Sequence, residues 1–340
     1  MKEMRHTEKA LEALLADKTA KNLAVRLGRG NDMIYEAYLS RDGIDARTLF
    51  DMASVTKVMA TTLLSLIALD EGRITTEDTL GRFYACGEDK RNITLGNLLT
   101  HTFGIGHQPL NRAGITYENV AEAILALPLE SAPGGEVLYS CPAFILLGKI
   151  LEKVYGDRLD RLFARKIAAR LPLPDTGFLP DRGRPIVNAN LTEGERGIVN
   201  DYNARFLGGV AGNAGLFSDM EDVTAFAKLL IGRGAGLVGE ATFARAVQNH
   251  TPHAAEARGL GFLWVDERYP QTGGLFPPGS VGHCGHTGQS CFVDPASGLY
   301  AIILSDATIC SVKKHGAEVY ADTMEMRRRI HAAMREDLAP

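Results

Sequence analysis

Strand patterns at both ends of the chain, with helix patterns between them, predict an α+β fold, an α/β sandwich. Near the N-terminus, Leu23, Val25 and Leu27 alternate with Ala24 and Arg26, the two-residue period of a half-buried strand. Near the C-terminus, 291–293 and 299–304 read as strands joined by Asp294-Pro295-Ala296-Ser297-Gly298, a strong turn signal. Residues 73–250 read mostly as helix and loop. One antiparallel sheet built from both chain ends, flanked by terminal helices and carrying an inserted, mostly helical subdomain, accommodates all three observations. The expected division is a single domain over 1–340. Within it, about 8–50 and 255–335 supply the sheet and about 51–254 the helical part.

The elements follow in order. Leu11, Leu14 and Leu15 recur at helical spacing over 8–17. Arg29-Gly30-Asn31-Asp32 supplies a turn between the first strand and a second over 34–39. A long apolar run, Val58 to Leu69, reads as a core helix that stops at Asp70-Glu71-Gly72, where glycine suits a helix C-terminus. Short helices are expected over 93–99, entered from Thr94, and over 117–127. A heavily apolar helix covers 143–155. Pro172, Pro174, Pro180 and Pro185 mark 171–200 as a long ordered loop. Ser218-Asp219-Met220-Glu221 has the form of a capping box opening a helix through Ile231. A strand over 261–265 and a C-terminal helix containing 327–334 complete the chain.

Composition removes several function classes. With 45% hydrophobic and 23% charged residues the chain has ample core material. A net charge of −4 without a basic stripe argues against nucleic acid. No signal peptide or transmembrane run is apparent, so a cytoplasmic protein is expected, or a processed one from the periplasm or cell exterior. Five widely spread cysteines do not form a disulfide framework and fit a reducing compartment. A small-molecule or peptide substrate is the expected partner; oligomeric state is not encoded in any pattern.

The chemistry centres on Phe50-Asp51-Met52-Ala53-Ser54-Val55-Thr56-Lys57. On a helix, Ser54 and Lys57 share one face. A serine hydroxyl needs a neighbour to take its proton. Lysine can do so if burial lowers its pKa from about 10.4, and Val55, Val58, Met59, Leu63 and Leu66 place it in a core. Alone, the pair reads rather as a solvated first turn with a capping serine. Two further stretches carry chemistry: Leu138-Tyr139-Ser140-Cys141-Pro142, and Gly285-His286-Thr287-Gly288-Gln289 ahead of a strand pair. Tyr139 can relay a proton if cations lie near it, and Gly288 would let a substrate backbone approach an edge strand.

The ordered set Ser-x-x-Lys, Tyr-Ser-x, His-Thr-Gly resembles the serine β-lactamase and penicillin-binding-protein superfamily, and most of all its class C-like branch with D,D-peptidases, D-aminopeptidases and esterases. The segments 49–57, 97–105, 208–218 and 285–298 resemble that family's nucleophile segment, its LLTHTSGL segment, a glycine-rich loop beside the site, and its third-motif hairpin. The resemblance spans about 20–310 and implies a β-lactamase/transpeptidase-like fold. It implies Ser54 as the acylated nucleophile, Lys57 and Tyr139 as shared base and acid, and the N–H groups of Ser54 and Gln289 as oxyanion donors. His286 and Thr287 would contact the substrate's leaving side or carboxylate. No cofactor is implied.

Two departures shape the expected specificity. Cys141 stands where the family's second motif usually ends in Asn, and a thiol is a weak donor and acceptor. His286 stands where β-lactamases often have Lys. Both weaken the grip on an acylamino-carboxylate and favour esterase or D-amino-acid peptidase activity over efficient β-lactamase activity. The alternative is a penicillin-binding or sensor-type protein that acylates without turnover. A metal site at His283, Cys284, His286 and Cys291 lacks a usual ligand spacing. The glycines of 208–215 lack the Lys-Ser/Thr of a phosphate loop and read as a tight cleft wall. His101 reads as a buried histidine bonded to backbone.

Overall fold

The computed structural model describes residues 3–40, 43–110, 112–187, 193–307, 312–314, 317–319 and 322–339. From the N-terminus, α1 (Arg5–Ala16) precedes the hairpin of β1 (Asn22–Arg29) and β2 (Asp32–Ser40). β3 (Phe50–Asp51) leads into a 3₁₀ turn (Ala53–Val55), a π-helical turn (Lys57–Thr62) and α2 (Leu63–Asp70). The helical part follows as α3 (Leu80–Phe83), α4 (Leu95–Leu99), α5 (Val120–Leu125), α6 (Cys141–Tyr155) and α7 (Leu159–Phe163). Next come β4 (Gly177–Phe178), α8 (Tyr202–Phe206), β5 (Leu216–Ser218), α9 (Met220–Ile231) and α10 (Glu240–Ala246). The chain returns to the sheet with β6 (Leu263–Trp264), β7 (Val281–Cys284), β8 (Ser290–Asp294) and β9 (Leu299–Ser305). A ribbon of β10 (Val312–Lys314) and β11 (Ala317–Val319) precedes α11 (Thr323–Leu338).

The main sheet is antiparallel, six-stranded and ordered β2-β1-β9-β8-β7-β6, so both chain ends do build it. They meet where β1 pairs with β9, Leu23 opposite Ser305 and Arg29 opposite Leu299. The pleat sends alternate side chains to two cores. Leu23, Val25, Leu27, Ala301 and Ile303 pack with residues of α1 and α11, the terminal helices. Ala24, Tyr300, Ile302 and Leu304 join the opposite core, with the helical part.

The axis of that second core is the segment 53–70. Val55, Val58, Met59, Leu63 and Leu66 are at most 1% exposed, and each such side chain contributes about 1.5–3 kcal/mol on burial. Among the described residues, Ala53–Asp70 is the one helix long and apolar enough to cross a membrane, and it is mostly buried inside the protein. Gly72, at φ +63°, closes it as its position predicts.

Two boundaries differ from the sequence expectation. Ser218 is the last residue of β5, so the cap of α9 is Asp219, whose carboxylate accepts the Asp222 N–H at 2.9 Å. Glu221 is drawn instead to Arg26 of β1. α6 begins at Cys141, two residues early, because Pro142 is tolerated in a first turn and Ser140 Oγ caps it through the Ala143 N–H at 3.0 Å. The expected loop over 171–200 carries β4 and a short 3₁₀ turn, and its residues 188–192 lie outside the described ones.

Candidate active site

The turn that presents Ser54 is held under strain. Ala53 has φ +45°, unusual for a residue with a Cβ. Asp51 holds it there, its Oδ1 accepting the Ala53 N–H at 2.8 Å while Oδ2 accepts the Asn200 N–H at 2.6 Å. Burial raises the Asp51 carboxyl to about 6, against the two N–H bonds that favour its anion. One carboxylate thus ties the Ser54 turn to the segment opposite it.

Lys57, one helical turn on, is 0% exposed. Its Nζ donates to Ser54 Oγ at 3.0 Å and to Asn213 O at 3.1 Å, and lies 3.6 Å from Cys141 Sγ. Burial alone pushes the ammonium toward neutrality, as the sequence led us to expect. The expectation of a lowered pKa is nevertheless overturned: negative charge at Cys141, with the Tyr139 hydroxyl beside it, outweighs burial and holds Lys57 above its ordinary value. Lys57 therefore rests as an ammonium.

Tyr139 is positioned by His101. The His101 carbonyl accepts the Leu138 N–H at 2.9 Å, and its Nδ1 accepts the Ser140 N–H at 3.0 Å. His101 itself is fully buried, with φ +58° and a pKa driven well below 6.5 by burial. The rings of His101 and Tyr139 lie 4.8 Å apart, and Lys57 Nζ sits 4.9 Å from the Tyr139 ring centre. Burial raises the Tyr139 hydroxyl despite Lys57, so it stays a phenol at neutral pH.

These groups face a cavity of about 550 Å³ lined by Ser54, Tyr139, Cys141 and His286, and by a wall the sequence did not reveal. That wall is His107 and Pro109 together with Asn200, Asp201, Tyr202 and Asn203, the two segments joined where Asn203 accepts the Leu110 N–H at 2.8 Å and donates to Gln108 O at 3.0 Å. Asp201 caps α8 through the Ala204 N–H and accepts from Asn213 Nδ2 at 3.0 Å, which fixes the wall to the 208–215 loop. No arginine appears among the lining residues, and the one lysine at hand is Lys57 beneath the floor. Burial lowers the His286 pKa, so that side chain is neutral. The glycine loop, expected as a cleft wall, does not line this cavity; it packs behind it on α6, where a Cβ on Gly212 would lie 2.0 Å from Phe144 O.

The third stretch is displaced from its expected place by three residues. The strand beside the Ser54 turn is β7, and it ends at Cys284. Gly285 follows, and a Cβ there would lie 3.0 Å from Met52 O and 3.2 Å from Ala53 Cβ. His283-Cys284-Gly285 thus takes the edge position assigned to His286-Thr287-Gly288. His283 is buried on the site's side, its ring 6.2 Å from that of Tyr139. Only His286 reaches the cavity; Thr287, Gly288 and Gln289 do not line it. Thr287 Oγ1 donates to Gln289 Oε1 and lies 3.3 Å from Asp51 O, and Gln289 Nε2 donates to Ser305 O at 2.8 Å. A Cβ on Gly288, at φ +93°, would meet Ser305 Oγ at 2.0 Å. These three residues knit the turn to β9. Arg327 of α11 braces it further, donating to Gly285 O at 3.1 Å. Two histidine-x-glycine triplets in tandem, only the first of them on the strand, account for the shift. Among the described residues no group of acidic, cysteine or histidine side chains could hold a metal ion.

Comparison with known proteins places this geometry. A family profile described as Beta-lactamase matches residues 7–313. A protein of Escherichia coli O157:H7 that carries the name of a D-alanyl-D-alanine carboxypeptidase is 30% identical over 300 residues, 76% of this chain and 69% of that protein. The solved structure of EstCE1, a hydrolase with promiscuous acyltransferase activity, aligns with a TM-score of 0.76 at 20% identity, covering 96% and 98% of the two chains. That of a penicillin-binding protein homolog from Caulobacter crescentus aligns with a TM-score of 0.75 at 16% identity, covering 98% and 97%.

Proposed function

Because this chain belongs to the Beta-lactamase family and is a serine hydrolase, we propose that Ser54 forms an acyl-enzyme with a neutral ester or amide. The single observation that carries the reading is the contact of a nearly buried Ser54 Oγ with a fully buried Lys57 Nζ at 3.0 Å, beneath a cavity of substrate size.

Each step has a group in reach. Lys57 rests charged, so it first gives a proton to the Cys141 sulfur 3.6 Å away and then, as a neutral amine, takes that of Ser54, which it later returns to Tyr139. Tyr139, a phenol, donates to the leaving group. The amide following Gly285, that of His286, takes the oxyanion role first given to Gln289 and works with the Ser54 N–H. Water then enters and the same groups act in reverse.

Charge selects the substrate. A penicillin or a C-terminal D-alanine brings a carboxylate, and here it would meet neutral His286 and the Asp201 carboxylate, while the wall's His107 is drawn to Cys141. Like charge in a partly dry cleft is costly. A neutral acyl donor avoids that cost. This favours an esterase or amidase over a carboxypeptidase, although relatives carry the latter name. One turnover panel tests the reading: short p-nitrophenyl esters, a chromogenic cephalosporin, and peptides with N- or C-terminal D-alanine. The esters should give the highest kcat/KM. A cephalosporin or C-terminal D-alanine substrate leading the panel would overturn the charge reading. A burst without steady turnover would mean a protein that acylates and stops.

A further inference from the structure

We propose that Cys141 is a reactive thiolate in the floor of the Ser54 cavity that takes small disulfides, and that the mixed disulfide shuts the Ser54 site.

Four observations converge on this sulfur. It lines the cavity although its residue is only 2% exposed. Lys57 Nζ lies 3.6 Å from Sγ. His107 lines the same cavity and acts on the thiol there. Cys141 also opens the 15-residue helix α6, directly after its capping Ser140, where partial positive charge favours an anion. The facing charges are therefore Lys57 from the nucleophile segment, His107 from its loop, and Asp201 from the adjoining segment, with Tyr139 as a neutral phenol. Burial and Asp201 push the thiol up; Lys57 and His107 together bring it below its ordinary value. The same contact raises His107 above its ordinary value, which makes it a proton donor beside the sulfur.

This pairing has a purpose that a pocket wall does not need. Cys86 shows the contrast: it is partly exposed, and burial raises its thiol. At Cys141 the thiolate attacks one sulfur of a disulfide R–S–S–R. The Sγ–S bond forms, the reagent's S–S bond breaks, and the released R–S⁻ takes a proton from the His107 imidazolium. The disulfide is itself the oxidant: the Cys141 sulfur is oxidised to the disulfide level and the released sulfur is reduced to a thiol. The added R–S group occupies the cavity beside Ser54, and the anion facing Lys57 is lost. The modification stands on the Cys141 geometry alone; its effect on turnover rests on the Ser54 reading above.

The test uses the full chain and 2-hydroxyethyl disulfide, a small neutral probe. Peptide mapping against time gives a rate for Cys141 and for Cys86 at pH 6, 7 and 8. At pH 7 Cys141 should react about tenfold faster than Cys86, since an ordinary thiol near pKa 8.5 is only a few per cent thiolate. Its rate should climb less steeply from pH 6 to 8 than that of Cys86, which climbs roughly tenfold per unit. His107→Gln should steepen the profile at Cys141. A Cys141 that stays unmodified while Cys86 saturates, or whose rate climbs tenfold per unit in the wild-type chain, overturns the proposal. A second arm follows fluorophosphonate labelling of Ser54: it should fall at least tenfold in step with Cys141 modification and return with dithiothreitol. Full modification with unchanged Ser54 labelling removes the closure of the site. No labelling of Ser54 in untreated protein overturns the Ser54 reading instead, and leaves the thiol rates standing.

Discussion

Gly212→Ala tests whether the glycine loop sets the position of Lys57. The new Cβ would lie 2.0 Å from Phe144 O, 2.9 Å from Phe144 C and 3.2 Å from Gly148 N of α6, and ordinary contact begins at 3.4 Å. The loop or the helix must therefore separate by more than 1 Å. Gly212 O accepts Thr61 Oγ1 at 2.7 Å, and the next carbonyl, Asn213 O, accepts Lys57 Nζ at 3.1 Å. A shift of that size breaks the second contact and moves the base relative to Ser54. Overpacking of this kind costs about 1–3 kcal/mol of stability, and a misplacement of about 1 Å costs on the order of 100-fold in rate. The assay is the second-order rate of fluorophosphonate labelling at Ser54, with urea unfolding beside it. Gly156→Ala is the control. It sits at φ +66° after α6 with nothing within 4 Å, so it should lose about 1–2 kcal/mol through backbone strain and label within twofold of the wild-type rate. A folded Gly212→Ala protein that labels normally, or a Gly156→Ala protein that slows equally, refutes the link between the loop and the base.

Three further outcomes are expected. Lys57→Arg keeps the charge but cannot give up a proton, so acylation should fall by at least about 100-fold; near-normal labelling would reduce Lys57 to a structural cation. His286→Lys should raise kcat/KM for a carboxylate-bearing substrate relative to a neutral ester of the same acyl group by a few-fold to roughly tenfold. Asp201 would absorb part of that charge, so His286→Lys with Asp201→Asn should exceed it, and an unchanged ratio in both would show that this wall does not read charge. For Asp51, the folded carboxyl at about 6 lies above its ordinary 3.8, so the native state binds the proton more tightly. Its contribution is complete below about pH 3.8 and is lost as pH rises through 6, roughly 3 kcal/mol in all. Asp51→Asn should remove that slope, visible as a pH-dependent difference between wild-type and variant unfolding free energies from pH 4 to 7. Parallel curves would show that Asp51 titrates normally.

Local patterns in the sequence carried most of the architecture. The alternation over 23–27 and the turn at 294–298 reappear as β1 and the β8–β9 hairpin, because one face of each strand must be buried and a slip by one residue would expose it. Ser54, Lys57 and Tyr139 were legible for a related reason: two of them are one helical turn apart, and the third sits at the mouth of an apolar helix. What stayed hidden was set by contacts between distant segments. Asp201 and His107 belong to loops, and no local period announces that a loop faces a cleft. The register of the third stretch was ambiguous because both triplets in 283–288 end in glycine; only the pairing of Cys284 with Ser290 decides which one lies on the strand. The charge of Lys57 escaped a sequence reading altogether. Burial was visible in the apolar run, but the thiol and phenol that oppose it arrive from a segment more than eighty residues away.

The most direct measurement is the site of covalent capture. Fluorophosphonate treatment followed by intact-mass analysis and peptide mapping should show one adduct per chain, on the peptide that holds Ser54, and Ser54→Ala should abolish it. An adduct that survives Ser54→Ala, or that maps to the peptide holding Cys141, would contradict a serine nucleophile and make this a cysteine enzyme on the same fold.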